Sequence, residues 1–130
     1  MPEGLRAQIL REARDACPRE CCGLIEGVRE AENFHVTALY PARNLAHAAD
    51  RFEIDPRDQF AAYKAARAEG RAILGCYHSH PNGSAQPSAT DLAGAGEENF
   101  LWLIASHQDV NAYVYSGGRF AGAEWVTSSE

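Results

Sequence analysis

No stretch of the sequence approaches the roughly 18 consecutive apolar residues that a membrane-crossing helix needs, so no transmembrane segment is expected. Met1 to Glu12 carries charges where an export signal would place an apolar run, and the chain is therefore expected to stay in the cytoplasm. There is no C-x-x-C pair and no spaced cysteine framework. Cys17, Cys21 and Cys22 crowd together and Cys76 stands alone. That pattern excludes a disulfide scaffold and leaves four thiols expected to be reduced. Excess positive charge is missing as well. A formal net charge of −6 would repel nucleic acid and anionic membrane surfaces, so neither is expected as a partner. Internal repeats, low-complexity tracts and linkers are also lacking, which points to a single domain over 1–130. At this length one core can bury roughly two thirds of the unfolded surface without covalent staples.

What is present is an ordinary globular composition, 45% hydrophobic and 23% charged, with legible periodicities. Leu5, Ile9, Leu10 and Ala13 recur at helical spacing over 4–16, ended by Pro18. Cys21 to Val28 reads as a short apolar strand, closed by a charged turn near Arg29 to Asn33. Phe34, Val36, Ala38 and Tyr40 alternate along a second strand and are expected to share one face. After a polar loop over 41–50, Phe52 and Ile54 suggest a brief third strand. Asp55 is a natural N-cap and Pro56 suits the first position of a helix that runs to Gly70. Ala72 to His80 reads as a buried strand, Pro81 to Pro87 as a turn-rich loop, and Ser88 as the start of a short helix. Leu101 to Ser106 is another strand. Ala112 to Ser116 and Arg119 to Val126 form a hairpin around Gly117-Gly118. The order α-β-β-β-α-β-α-β-β-β predicts an α/β fold, a mixed, curved β-sheet sandwiched by helices.

The segment that carries chemistry is His78-Ser79-His80-Pro81 followed by Ser88-Ala89-Thr90-Asp91. Residues i and i+2 of a strand point the same way, so His78 and His80 present two imidazoles on one face. The loop returns the chain to a helix whose first turn holds Asp91, with its carboxylate able to face them. Two nitrogens and one oxygen suit Zn²⁺, and three protein ligands leave a fourth position open, the mark of a catalytic site. Each piece also has an ordinary reading. An H-x-H pair is often surface or core histidine, and Ser88-x-x-Asp91 is a capping box that competes with a metal for the same carboxylate.

This pattern resembles the JAMM (MPN+) metallopeptidase family, whose motif is a distant Glu, then H-S/T-H-P, six residues, Ser, two residues and Asp. Glu20, His78-Ser79-His80-Pro81, Ser88 and Asp91 match it completely, and Pro18 to Ile25 and Pro87 to Asp91 look like the short prokaryotic members. The resemblance covers nearly the whole chain and implies a fold related to the cytidine deaminase sandwich. It implies His78, His80 and Asp91 as zinc ligands, Glu20 as general base and acid, and Ser88 as hydrogen-bond donor to the oxyanion. It further implies a metallopeptidase or isopeptidase acting after the Gly-Gly tail of a ubiquitin-like or sulfur-carrier protein.

Other candidates are weaker. Cys76 shares the face of His78 but lies about 6.6 Å further back along the strand, so a buried structural thiol is expected. Adjacent Cys21 and Cys22 chelate poorly, and with Cys17 they find no matching fourth ligand. His35, His47 and His107 are isolated. Trp102 and Trp125 are expected to pack the sheet. The competing functional classes are a non-catalytic scaffold or interaction module of the same fold that binds zinc, and a zinc deaminase. The deaminase would need H-x-E or C-x-E with P-C-x-x-C, and neither occurs.

Overall fold

The structure is a computed structural model that describes residues 4–31 and 33–127. The first three and last three positions of the expected 1–130 domain, and residue 32 of the expected charged turn, lie outside the described residues.

The elements are α1 (Leu5–Ala16), β1 (Cys22–Glu30), β2 (Asn33–Ala42), α2 (Pro56–Ala68), β3 (Ala72–Ser79), α3 (Ala89–Gly94), β4 (Phe100–Ala105), β5 (Val110–Ser116), β6 (Arg119–Gly122) and β7 (Glu124–Thr127). Helical spacing in α1 buries Leu5 and Ile9 against one face of the sheet, with Ile25, Phe34, Val36, Tyr77, Leu101 and Leu103. Burying each such aliphatic side chain contributes about 1.5–3 kcal/mol. On the opposite face α2 sets Ala62 beside Leu24, Cys76 and Trp102. Trp125 packs against the α1-side core. Asp55 caps α2 by accepting from the Arg57 amide at 2.9 Å, with Pro56 at the first turn, as its sequence signature requires.

All seven strands form one sheet in the order β6-β5-β4-β3-β1-β2-β7. Strand β3 is central, parallel to β4 and antiparallel to β1. Gly75 is needed for the β3–β4 approach, because a Cβ there would lie 1.7 Å from the Leu101 carbonyl oxygen. Gly117 and Gly118 both take positive φ, 62° and 82°, and close the tight β5–β6 turn between Ser116 and Arg119, as a two-residue hairpin demands.

Four expectations need correction. The turn after β1 is shorter than the charged stretch suggests, since Arg29 and Glu30 still pair with Phe34 and Asn33. The alternation of β2 changes phase. Phe34 and Val36 are buried on the α1 side with Leu39, while Tyr40 packs on the opposite face. The cause is a bulge, for Glu26 pairs with Ala38 but Gly27 with Val36, leaving Thr37 as the extra residue. An unpaired residue of this kind reverses the facing of everything beyond it. Thr37 and Tyr40 then both donate hydrogen bonds to the buried Glu26 carboxylate. Phe52 and Ile54 form no strand, only an isolated bridge between Asn44 and Ile54, because the Asn44 side chain takes up backbone groups that a ladder would need. Finally, the segment 119–126 is two strands. After Ala123 the chain leaves β5 and pairs β7 in parallel with β2. One residue thus separates strands at opposite ends of the sheet order, and the sheet curls until its edges meet.

Candidate metal centre

The site lies where β3 ends. His78 lies fully buried one residue before the end of that strand, His80 comes just after it, and Asp91 arrives from the first turn of α3, also buried. The His78 Nε2 lies 3.0 Å from Asp91 Oδ1, the His80 Nε2 lies 3.0 Å from Asp91 Oδ2, and the two Nε2 atoms are 3.1 Å apart. One donor atom from each of the three residues thus falls within 4.8 Å of the others. A tetrahedral ion with bonds of about 2.0–2.1 Å needs donor–donor edges near 3.3 Å, so this group fits such an ion after movements of a few tenths of an ångström. Three protein donors would leave a fourth position of such an ion to solvent or substrate.

Each imidazole is held for this task. The His80 Nδ1–H donates to the Ser84 carbonyl at 2.8 Å, which orients the ring with its Nε2 toward the group. Without an ion that Nε2–H donates to Asp91, and the Asp91 bond first, then the Ser84 bond, raises the His80 pKa above its ordinary value. The His78 ring stacks on Phe52 at 4.3 Å and meets Trp102 edge-on at 5.6 Å. Burial holds the His78 imidazole below its ordinary pKa, in the neutral form that ligation requires. For Asp91, burial alone would favour the neutral acid. Hydrogen bonds from both histidines and from the Ser88 amide overcome it and hold the carboxyl far below the usual range.

The capping and metal readings of Asp91 coexist. Ser88 Oγ accepts from the Asp91 amide at 3.0 Å, and the Ser88 amide donates to Asp91 Oδ2 at 2.9 Å. The carboxylate therefore caps α3 while still presenting both oxygens to the imidazoles. The Ser88 hydroxyl proton is not spent in the cap.

Glu20 reaches the site through strand register. Cys22 pairs with His78 across the antiparallel β1–β3 ladder, so residues just before Cys22 lie beside those just after His78. The Cys21 amide donates to Ser79 Oγ at 2.8 Å and locks this junction. Asn44 Nδ2 holds the Glu20 carbonyl at 3.0 Å. The Glu20 side chain, 4% exposed, shares a cavity of about 270 Å³ with Asp50, His80, Pro81, Gly83 and Ser88. Burial pushes its pKa up to about 7, with His80 opposing and Asp91 and Asp50 adding to the rise. A carboxyl poised there exchanges protons in both directions near neutral pH.

The three donors, Glu20 and Ser88 are therefore brought together. Cys76 is not among the donors. It is buried among Leu24, Ala62 and Trp102, and burial holds its thiol well above the ordinary range. Cys21 and Cys22 are buried, Cys17 is exposed, and all three are free thiols outside the group. Local sequence pattern missed three contributors: Phe52, Asn44 and Ser79. Only Ser79 carried a signal, as the middle residue of the H-S-H-P motif.

A curled mixed sheet with two imidazoles and a carboxylate grouped at the end of its central strand, compatible with a metal site, and a buried carboxyl of raised pKa beside an open cavity have the make-up of a hydrolase. The chain belongs to the family of prokaryotic homologs of the JAB domain, whose model matches residues 2–116, and it is a JAMM-type hydrolase. It is 39% identical over 124 residues to a probable TtuB-protein conjugate cleaving protease of Thermus thermophilus, covering 92% of this chain and 77% of that protein. It is 34% identical over 127 residues to a desampylase of Haloferax volcanii, covering 93% of this chain and 83% of that protein. The solution structure of a Desulfitobacterium hafniense protein matches it with a TM-score of 0.83 at 33% identity, covering 95% of this chain and 88% of the other.

Proposed function

We propose that this chain, as one domain, is a zinc-dependent peptidase or isopeptidase that hydrolyses the amide bond after the Gly-Gly tail of a ubiquitin-like or sulfur-carrier protein. The observation that carries the reading is the convergence of His78, His80 and Asp91 within 4.8 Å of one another, beside a cavity shared by Glu20 and Ser88. The names of the two relatives, a desampylase and a TtuB-protein conjugate cleaving protease, support the substrate class. Cytoplasmic action is part of the same reading, and four free thiols accord with it.

In this mechanism His78, His80 and Asp91 hold Zn²⁺. When bound there, the ion would supply Lewis acidity toward the scissile carbonyl and toward water at neutral pH. Glu20 accepts the proton of the attacking water and delivers it to the departing amine. Its raised pKa suits both transfers. Ser88 keeps its cap through an oxygen lone pair and donates its hydroxyl proton to the developing oxyanion. Loss of one such donor costs about 2.7–4 kcal/mol of barrier.

The test is cleavage of a carrier protein joined through its Gly-Gly tail either to a lysine side chain or to a free amino acid, followed by mass spectrometry of the products. Cleavage after the tail should stop on chelation and return with zinc. Turnover that survives both chelation and Glu20→Gln would sink the proposal. A folded, zinc-binding protein that cleaves neither substrate would favour the scaffold.

A further inference from the structure

The loop over 81–87 separates His80 from Ser88, and both of its ends serve the site. It has no ladder of its own, and its residues are largely exposed except Ala85, which is 4% exposed. The Ala85 carbonyl oxygen accepts two hydrogen bonds from β5. Tyr113 donates its hydroxyl at 2.9 Å, and Asn111 donates its side-chain amide at 3.2 Å. Two acceptor lone pairs on one carbonyl accommodate both. Asn111 and Tyr113 are two residues apart on one strand and therefore project to the same side. Strand β5 is itself fixed along β4, with Asn111 opposite Ile104 and Tyr113 opposite Trp102. Among the described residues, these are the side-chain hydrogen bonds that tie the loop to another element. One peptide upstream, the Ser84 carbonyl accepts the His80 Nδ1–H at 2.8 Å.

We propose that Asn111 and Tyr113 are positioning residues that form a two-donor clamp on Ala85, and that through the adjoining Ser84 carbonyl they set the tautomer and aim of His80. The inference rests on the proposed metal role of His80. Neither residue touches the donor group. Their effect passes through backbone. Pinning the Ala85 carbonyl fixes the peptide plane that follows Ala85 and restrains the Ser84–Ala85 peptide before it. That peptide carries the oxygen that holds the His80 Nδ1 proton. With the clamp released, the Ser84 carbonyl turns toward solvent, the imidazole loses its orienting acceptor, and the Nε2-protonated tautomer, which cannot ligate through Nε2, gains population. Only Gln86 and Pro87 separate Ala85 from the Ser88 cap, so the same clamp also limits where α3 begins.

The test compares the wild type with Tyr113→Phe, Asn111→Ala, Asn111→Asp and the double variant Tyr113→Phe/Asn111→Ala. Zn²⁺ affinity is measured by competition with a chromophoric chelator, and thermal unfolding and long-range ¹H–¹⁵N imidazole spectra are recorded on metal-free protein. Tyr113→Phe and Asn111→Ala should each weaken Zn²⁺ binding on the order of tenfold, as for other partners of a ligand's outer nitrogen. Asn111→Asp, which turns an acceptor of the same shape toward a carbonyl, should weaken it further. Metal-free melting temperatures should stay near that of wild type. At a pH high enough to leave His80 a single proton, which the Ser84 carbonyl and the Asp91 carboxylate compete to hold, the share of that proton on Nδ1 should fall in the double variant. Zn²⁺ affinities within about twofold of wild type across the series, with an unchanged His80 tautomer, overturn the clamp. So does affinity lost only in step with melting temperature. Tyr113→Phe removes a single oxygen and keeps the ring, so it decides the matter even where the double variant does not fold. A wild type that binds no Zn²⁺ overturns the metal reading instead, and the His80 tautomer in metal-free protein then still decides the clamp.

Discussion

Glu20 opposes folding at the pH where it is useful. Its carboxyl is buried and its pKa is raised from 4.5 to about 7, chiefly by that burial. An acid whose folded pKa lies above its unfolded value binds more protons in the native state between the two, so stability falls as pH rises through that window. Below about pH 4.5 the native and unfolded carboxyls are both neutral and nothing is lost. Above about pH 7 the full penalty applies. Glu20→Gln, which keeps shape and removes the charge, should therefore raise the melting temperature of metal-free protein at pH 8 by up to about 10 °C and leave it unchanged near pH 4. Calorimetry across that range checks it, and a gain that does not grow with pH would contradict the account. The same variant should abolish turnover. Phe52 works in the opposite sense, as a stack against the buried His78 ring. Phe52→Ala should loosen that imidazole and weaken Zn²⁺ binding by on the order of tenfold, measurable by chelator competition. At this scale the sequence was informative where chemistry repeats at short spacing, as in H-x-H and S-x-x-D. Glu20 was reached only through resemblance, because nothing local distinguishes it from a surface acid. Phe52 and Asn44 were invisible, since their partners are set by a loop whose closure depends on side-chain bonds to backbone.

At the level of elements, the tight passage of β4 against Gly75 of β3 supports the site directly. Strand β3 carries His78, and its parallel neighbour β4 passes so near Gly75 that a methyl group would meet the Leu101 carbonyl oxygen at 1.7 Å. The obstacle is backbone rather than a flexible side chain, so Gly75→Ala must either part the two strands or kink β3 three residues before His78. Overpacking of this kind costs about 1–3 kcal/mol and more where backbone has to move. Urea unfolding should show Gly75→Ala destabilised by at least about 3 kcal/mol, with Zn²⁺ binding weakened in the folded fraction. A change near zero would mean that the ladder tolerates separation there. Helix boundaries were the most readable elements, because Asp55-Pro56 and Ser88 state their caps in adjacent residues. Strand facing was readable only up to the bulge at Thr37. A bulge follows from the pairing of two strands, here Glu26 with Ala38 and Gly27 with Val36, and one strand's alternation does not contain it. The break at Ala123 escaped for the same reason. Arg119 to Val126 has the local pattern of one strand, and the partner that captures Glu124–Thr127 is Asn33–Val36, far back in the chain.

For the molecule as a whole, the donor group acts as a tie between parts that sequence keeps apart. His78 lies near the end of the central strand, Asp91 in the first turn of α3, and Glu20 just before β1 beside them. A ligand that binds only when these elements are in place binds the native state and not the unfolded chain, and so stabilises it by mass action. At free Zn²⁺ a thousandfold above its dissociation constant the gain is about 4 kcal/mol, which for a domain of this size corresponds to a melting-temperature rise on the order of 10 °C. Chelation should remove that rise and added Zn²⁺ should restore it. His78→Ala and Asp91→Asn should abolish the Zn²⁺-dependent part. Asp91→Asn should also lower the metal-free melting temperature, because the same carboxylate accepts from the Ser88 amide and its charge favours the helix N-terminus. Glu20→Gln should keep the Zn²⁺ response while losing turnover, which separates the group that holds the ion from the group that moves the proton. Thermal scans of the four proteins with chelator and with Zn²⁺ read all of this at once. A wild type whose melting temperature ignores both additions would show that the three donors close the curled sheet by their mutual hydrogen bonds alone.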